Sequence, residues 1–257
     1  MNDTALADRA TGTGKARARR GALERSVATR LAAAENGRFL ELLRGLGADD
    51  WTRPTECPGW DVKALVGHVV GMAEMAASMP EQVRQMRAAG KAGGLFLDAL
   101  TALQVAKHAG STPQQVVDRY AVIGPKAAKG RRRTPAPIRA VTMPMKQLVG
   151  DVEESWKVGF LVDVILTRDT WMHRIDVCRA TGRDLVLTAD HDGVLVDDVV
   201  REWAGRHAQP CTVRLAGPAG GAWQFGTGGP LIEQDAVDFC RGLSGRGAPA
   251  LGTHVPF

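Results

Sequence analysis

The feature that most restricts this chain is a long helical run, residues 154–180, whose inward stripe turns polar halfway along. Val158, Val162 and Ile165 recur at helical spacing, and the stripe continues as Asp169, His173, Asp176 and Ala180. Gly182 supplies a C-terminal stop. A helix of this length buries one face against its neighbours. Two carboxylates and an imidazole therefore arrive where a core is expected. Burying an unpaired carboxylate costs several kcal/mol, so these groups must meet partners, water or a metal ion.

Other apolar repeats predict the helices that surround this run. Residues 22–46 bring Ala28, Leu31, Phe39, Leu42 and Leu46 near one face. After the turn CPGW (residues 57–60), Asp61 is a good N-cap for a helix to about residue 78. Residues 95–107 and a segment starting at Pro113, behind Thr112, predict two more. The basic run 126–133, flanked by Pro125, Pro135 and Pro137, reads as an exposed loop in a long connection to about residue 147. Past residue 182 the texture changes. Residues 184–188 (DLVLT) predict a strand, 193–204 a helix, 211–215 and 222–225 a hairpin, and 235–243 a closing helix. The expected organisation is a disordered basic arm (1–20), a helical domain (21–182) and a small α+β domain (183–257).

Charge and cysteine usage exclude several function classes. The net charge of +5 is concentrated in residues 1–30, which carry Lys15 and six arginines against Asp3, Asp8 and Glu24. A basic arm on a near-neutral body, without interleaved aromatics, argues against a nucleic-acid reader. No apolar run approaches the roughly 18 residues of a membrane helix, and no membrane partner is expected. No secretory signal opens the chain, and the four cysteines (Cys57, Cys178, Cys211, Cys240) lack CxxC spacing. The expected location is the reduced cytoplasm.

On the helix from Asp61, Leu65, His68, Val69 and Met72 share a face, so His68 stands where leucine is expected. Asp169 and His173, four apart, project from adjacent turns and can share one cation. His68 from a neighbouring helix supplies a third ligand. Two nitrogens and one oxygen with an open fourth position describe a catalytic zinc-type site. Asp176 can accept the other ring N–H of His173. The same spacing also arises in buried salt bridges, and spacing alone leaves both readings open. Cys57 reads as a packing residue of the CPGW turn, although its place ahead of a helix N-terminus could lower its pKa. Trp60 and Trp171 read as core or cleft wall. Arg174, about 100° around the helix from His173, reads as structural or solvated. His108, His191, His207 and His254 carry no motif.

The segment RPTECPGWDVKALVGHVVGMAE (residues 53–74) resembles the N-terminal signature of the mycothiol-dependent maleylpyruvate isomerase family. LVDVILTRDTWMHRIDVCRATGR (residues 161–183) resembles its second motif, and the tail from VRLAGPAGGAWQFG to VPF looks like its C-terminal domain. The resemblance spans about residues 22–257. It implies a mainly α fold with an α+β part: a DinB-like four-helix bundle followed by a small sterol-carrier-like α/β domain. It also implies a divalent metal, zinc before nickel, on His68, Asp169 and His173, with Asp169 where glutamate is common. The implied cofactor is a low-molecular-weight thiol, mycothiol, deprotonated at the metal to attack a small electrophile. Isomerisation and thiol transfer are both open. An anionic substrate needs a cation, and Arg241 is a candidate, with simple surface placement as its alternative. The competing reading is a non-catalytic metal-holding bundle whose C-terminal domain binds an apolar ligand or a partner.

Overall fold

Apolar stripes become helices where they can face one another. A computed structural model describes residues 18–257 of the chain. Five helices come first: α1 (Arg25–Arg44), α2 (Val62–Ala77), α3 (Met79–Ala92), α4 (Phe96–His108) and α5 (Pro113–Arg133). A short helix α6 (Ala136–Arg139) and a hairpin of β1 (Gln147–Val149) and β2 (Val152–Glu154) follow. The chain then enters α7 (Val158–Phe160), a π-helical stretch over Leu161–Ile165, and α8 (Leu166–Thr181). Helices α1, α2, α5 and α8 make a four-helix bundle, with α3 and α4 as a helical hairpin laid on α2. Its core joins Phe39, Leu65, Val69, Tyr120 and Val177. Burial of such side chains contributes about 1.5–3 kcal/mol each.

The expected caps form. Asp61 accepts the Ala64 N–H at 2.7 Å, Thr112 caps α5 in a capping box with Gln115, and Gly182 closes α8 at φ 71°.

The C-terminal part adds α9 (Val194–His207), β3 (Cys211–Ala216), β4 (Gly221–Phe225), β5 (Leu231–Asp235) and α10 (Ala236–Arg241). The sheet order is β4–β3–β5, with β3 antiparallel to β4 and parallel to β5. Alternation along β3 buries Cys211, Val213 and Leu215. These share one core with Val196 and Trp203 of α9 and with Leu31, Trp171 and Ile175 of the bundle. Thus α8 is covered on two sides, which is why both His173 and Arg174 are buried. Arg168 of α8 pairs with Asp198 at 2.6 Å and Glu202 at 2.8 Å on α9. Among the described residues no helix is long and apolar enough to cross a membrane.

Several expectations need correction. The helix expected from residue 154 begins at Val158, because Glu154 ends β2 and accepts from Trp156 Nε1 at 2.7 Å. The π-helical stretch then shifts the phase, burying Phe160 and Val164 where Val158 and Val162 were expected. The basic run 126–133 is the end of α5 and not a loop. Arg131 is buried there, donating to the Val162 carbonyl and to Thr167 Oγ1. Gly130 permits the close approach of α5 to α2, since a Cβ would lie 2.3 Å from the Ala76 carbonyl oxygen. Arginines in the last turn also complement the helix dipole. Residues 184–188 form no strand and pair with none among the described residues; Arg174 instead donates to the Val186 carbonyl at 3.1 Å. Helix α3, the β1–β2 hairpin and β5 had no counterpart in the sequence reading. Of the basic arm, residues 1–17 lie outside the described residues. Arg19 is no free arm: it bridges to Trp156 and donates to Glu154 at 3.0 Å.

Candidate metal centre

Helix α2 carries His68 and α8 carries Asp169 and His173 to one point between them. His68 Nε2 lies 3.7 Å from Asp169 Oδ2, and His173 Nε2 lies 3.6 Å from Asp169 Oδ1. One donor atom from each of the three lies within 4.8 Å of the other two. Both imidazoles are buried. His68 Nδ1 and Asp169 Oδ2 have no hydrogen-bond partner. A buried polar atom left unsatisfied costs about 1–3 kcal/mol, so the cluster is incomplete as protein alone. Two imidazole nitrogens and a carboxylate oxygen are also the donor chemistry of a divalent ion such as zinc. The residues fit a metal.

His173 is oriented from behind. Its Nδ1 faces Asp176 Oδ2 at 2.9 Å. An ionised carboxylate only accepts, so Nδ1 carries the proton and Nε2 is turned toward Asp169. Asp176 in turn accepts from Arg246 Nε at 2.7 Å and Nη2 at 2.6 Å. Burial pushes the Asp176 carboxyl up, but the bonds from His173 and Arg246 leave it below the usual carboxylate range. Burial opposes charge on His173 as well, yet Asp169 and the Asp176 bond raise its pKa to about 10. For Asp169 burial is again outweighed by the facing imidazoles, which lower it to about 2. Before any cation enters, His173 and Asp169 are an ion pair.

Among the described residues two other groups have metal-ligand chemistry, Cys57–His173–Asp176 and Glu35–His191–Asp192. Each already holds a guanidinium: Arg246 lies 2.6 Å from Asp176, and Arg174 lies 2.7 Å from Glu35 and 2.6 Å from Asp192. Only the His68–Asp169–His173 group has no arginine bonded within it.

The site opens into a cavity of about 910 Å³ between α2, α3, α4 and the loop before β1. A second cavity of about 240 Å³ meets it at Asp169 and His173. Trp60 is a wall, its ring centroid 5.4 Å from that of His68 and 6.5 Å from that of His173.

The structure thus brings together His68, Asp169, His173 and Asp176, but not Arg241. Arg241 is held by Glu56 at 2.6 Å and Asp238 at 3.0 Å and does not line either cavity. Trp171 is core, donating to Asp192 at 2.9 Å. Cys57, expected chiefly to pack the turn, lines the large cavity with its Sγ 4.0 Å from His173 Nδ1. Arg246 was missed. It follows Gly245, whose φ of 90° turns the loop back toward α8, and its only sequence signal is a Gly-Arg-Gly run. The cavity's methionines were missed too, because they come from separate elements.

A family model described as the mycothiol maleylpyruvate isomerase N-terminal domain matches residues 32–178, the stretch that carries His68, Asp169, His173 and Asp176. No curated protein matches the chain. Among solved structures, the mycothiol-dependent maleylpyruvate isomerase is similar at TM-score 0.55 and 15% identity, over 88% of this chain and 91% of that one. A histidine-to-alanine mutant of it is similar at TM-score 0.55 and 14% identity, over the same shares. The shared fold is the helical bundle with a C-terminal domain that the sequence led us to expect.

Proposed function

Because this chain belongs to the mycothiol maleylpyruvate isomerase N-terminal domain family, we propose that it is a metal-dependent enzyme that uses a low-molecular-weight thiol, mycothiol, on a small electrophile. His68, Asp169 and His173 hold the ion, zinc before nickel. The observation that carries this reading is the arginine-free set of three donors, with unpartnered buried atoms, at the junction of two cavities.

When bound, a divalent ion would lower the pKa of a thiol presented to it, so that thiolate is available near neutral pH. The chain's own residues prepare for this. Asp176 holds the proton on His173 Nδ1, which leaves the Nε2 lone pair for the ion. Arg246 neutralises Asp176 and keeps it from acting as a competing ligand. Trp60 and the apolar wall surround the place where a bound thiol would react. Residues 21–182 supply the ligands in this reading, and residues 183–257 supply Arg246. Isomerisation and thiol transfer use the same preparation and differ in whether the thiol adduct is released. The cavity favours catalysis over a purely metal-holding bundle, because Asp176 is already bonded and does not close a fourth position.

Elemental analysis of the purified chain beside His173→Ala tests the reading. About one ion per chain in the wild type and a near-empty variant are expected. No metal in the wild type, even after reconstitution, would overturn it.

A further inference from the structure

The walls of the large cavity carry information about what occupies it. Five of the chain's eight methionines, Met72, Met75, Met86, Met143 and Met145, line this one space. They come from α2, α3 and the segment before β1, so three pieces of chain deliver the same side chain to one volume. Met172 lines the adjoining smaller cavity. Thioether side chains are unbranched and polarizable, and they re-pack around ligands of different shape.

The charge lining is as specific. Among the described residues the charged groups on the wall are Glu56, Asp98, Asp169 and Arg246, beside His68 and His173, and no lysine is present. Arg246 is already bonded to Asp176. Apart from an ion held by His68, Asp169 and His173, a dianionic acid entering here would meet carboxylates and no unbonded guanidinium or ammonium group. Phe96, Leu100 and Ile165 continue the apolar surface. A volume of about 910 Å³ stands near the top of the range for small-molecule sites, roughly 300–1,000 Å³.

We infer that this cavity takes the apolar body of an uncharged, hydrophobic electrophile, and that it accepts more than one shape. That the occupant reacts rests on the function proposed above; that it binds does not.

The test uses the metal-loaded chain and unreactive saturated 2-alkanones from 2-hexanone to 2-undecanone, with succinate as the dianionic probe. Trp60 and Trp156 lie in the wall and report binding by fluorescence. Each added methylene is expected to lower Kd by about fourfold until the cavity is full. Succinate is expected to bind more weakly than any of the longer ketones. Met86→Lys and Met145→Lys, at half-buried wall positions, are expected to weaken 2-undecanone by at least about tenfold. Their metal content should be unchanged, and Met86→Leu should keep the chain-length dependence. A Kd independent of chain length in the metal-loaded chain, or succinate binding more tightly than 2-nonanone once chelation has removed the ion that a carboxylate could coordinate, would overturn the inference. The two readings fail separately. A steep chain-length dependence in a chain that never holds metal sinks the metal reading alone, and a flat one in a metal-loaded chain sinks this one alone.

Discussion

Two buried charge clusters share helix α8 and start from neighbouring residues. Around His173, the donors His68 and Asp169 face it with no guanidinium bonded among them. Around Arg174, one position on, the guanidinium joins Glu35 to Asp192, and His191 Nε2 sits 2.7 Å from Glu35. Both clusters hold an imidazole and a carboxylate at metal-binding distances. In the Arg174 cluster a guanidinium bonds both carboxylates and His191 Nδ1 alone is left unpaired, in the buried space between α1 and the turn that leads into α9. The His173 cluster leaves polar atoms unpaired and opens to cavities. The lesson is that ligand type and spacing nominate a metal site, while the location of the arginines chooses between candidates.

The largest effect that can break this comparison is loss of a ligand. His68→Ala and His173→Ala should each fall from about one ion per chain to under about a tenth of that by elemental analysis. Full occupancy in either variant would dissolve the distinction. The opposite cluster should answer in stability instead. Arg174→Met leaves Glu35 and Asp192 buried without their cation and should cost about 3–5 kcal/mol in denaturant unfolding, with metal per folded chain unchanged. A folded Arg174→Met that had lost its ion would mean the clusters are one unit.

Smaller effects sharpen the picture. Asp176→Asn removes the acceptor that orients His173 and should weaken metal binding by about 10–100-fold in a chelator competition. Arg246→Met should fall at the low end of the same range. The pH dependence follows from the raised pKa of His173. An ion displaces the proton that His173 holds up to a pKa of about 10, whereas Asp169, at about 2, is already ionised. Affinity should therefore rise by about tenfold per pH unit on account of His173 between pH 6 and 8. Affinity that stays level or falls over that window would show that the imidazolium is not what the ion replaces. The smallest change is expected for Asp169→Glu, which should keep its metal. Loss there would mean that the carboxylate's reach is set more tightly than its chemistry.

Much of this was legible from local patterns. Helices α1, α2, α4, α5 and α8 declared themselves by apolar period and caps, and α9 and the β3–β4 hairpin by change of texture. Helix α3 did not, because only Gln85 and Ala89 of it are buried and it carries no apolar stripe, although Ser78 caps it. The basic end of α5 reads as a loop in the sequence because three prolines and five arginines and lysines outweigh helical period locally. There the helix carries Arg131 to the Val162 carbonyl and Thr167, contacts made across the fold and not along the chain.

The sequence alone determined that Asp169, His173 and Asp176 share one helix face and that His68 interrupts an apolar stripe. Helical period is a local property, set by 3.6 residues per turn and readable within a few turns. Tertiary structure decided which histidines meet and that Arg246 guards Asp176 from 70 positions away. It also decided that Arg174 fills the competing cluster and that five methionines converge on one cavity. These depend on desolvation and on charge meeting charge across the fold, and no spacing along the chain encodes either.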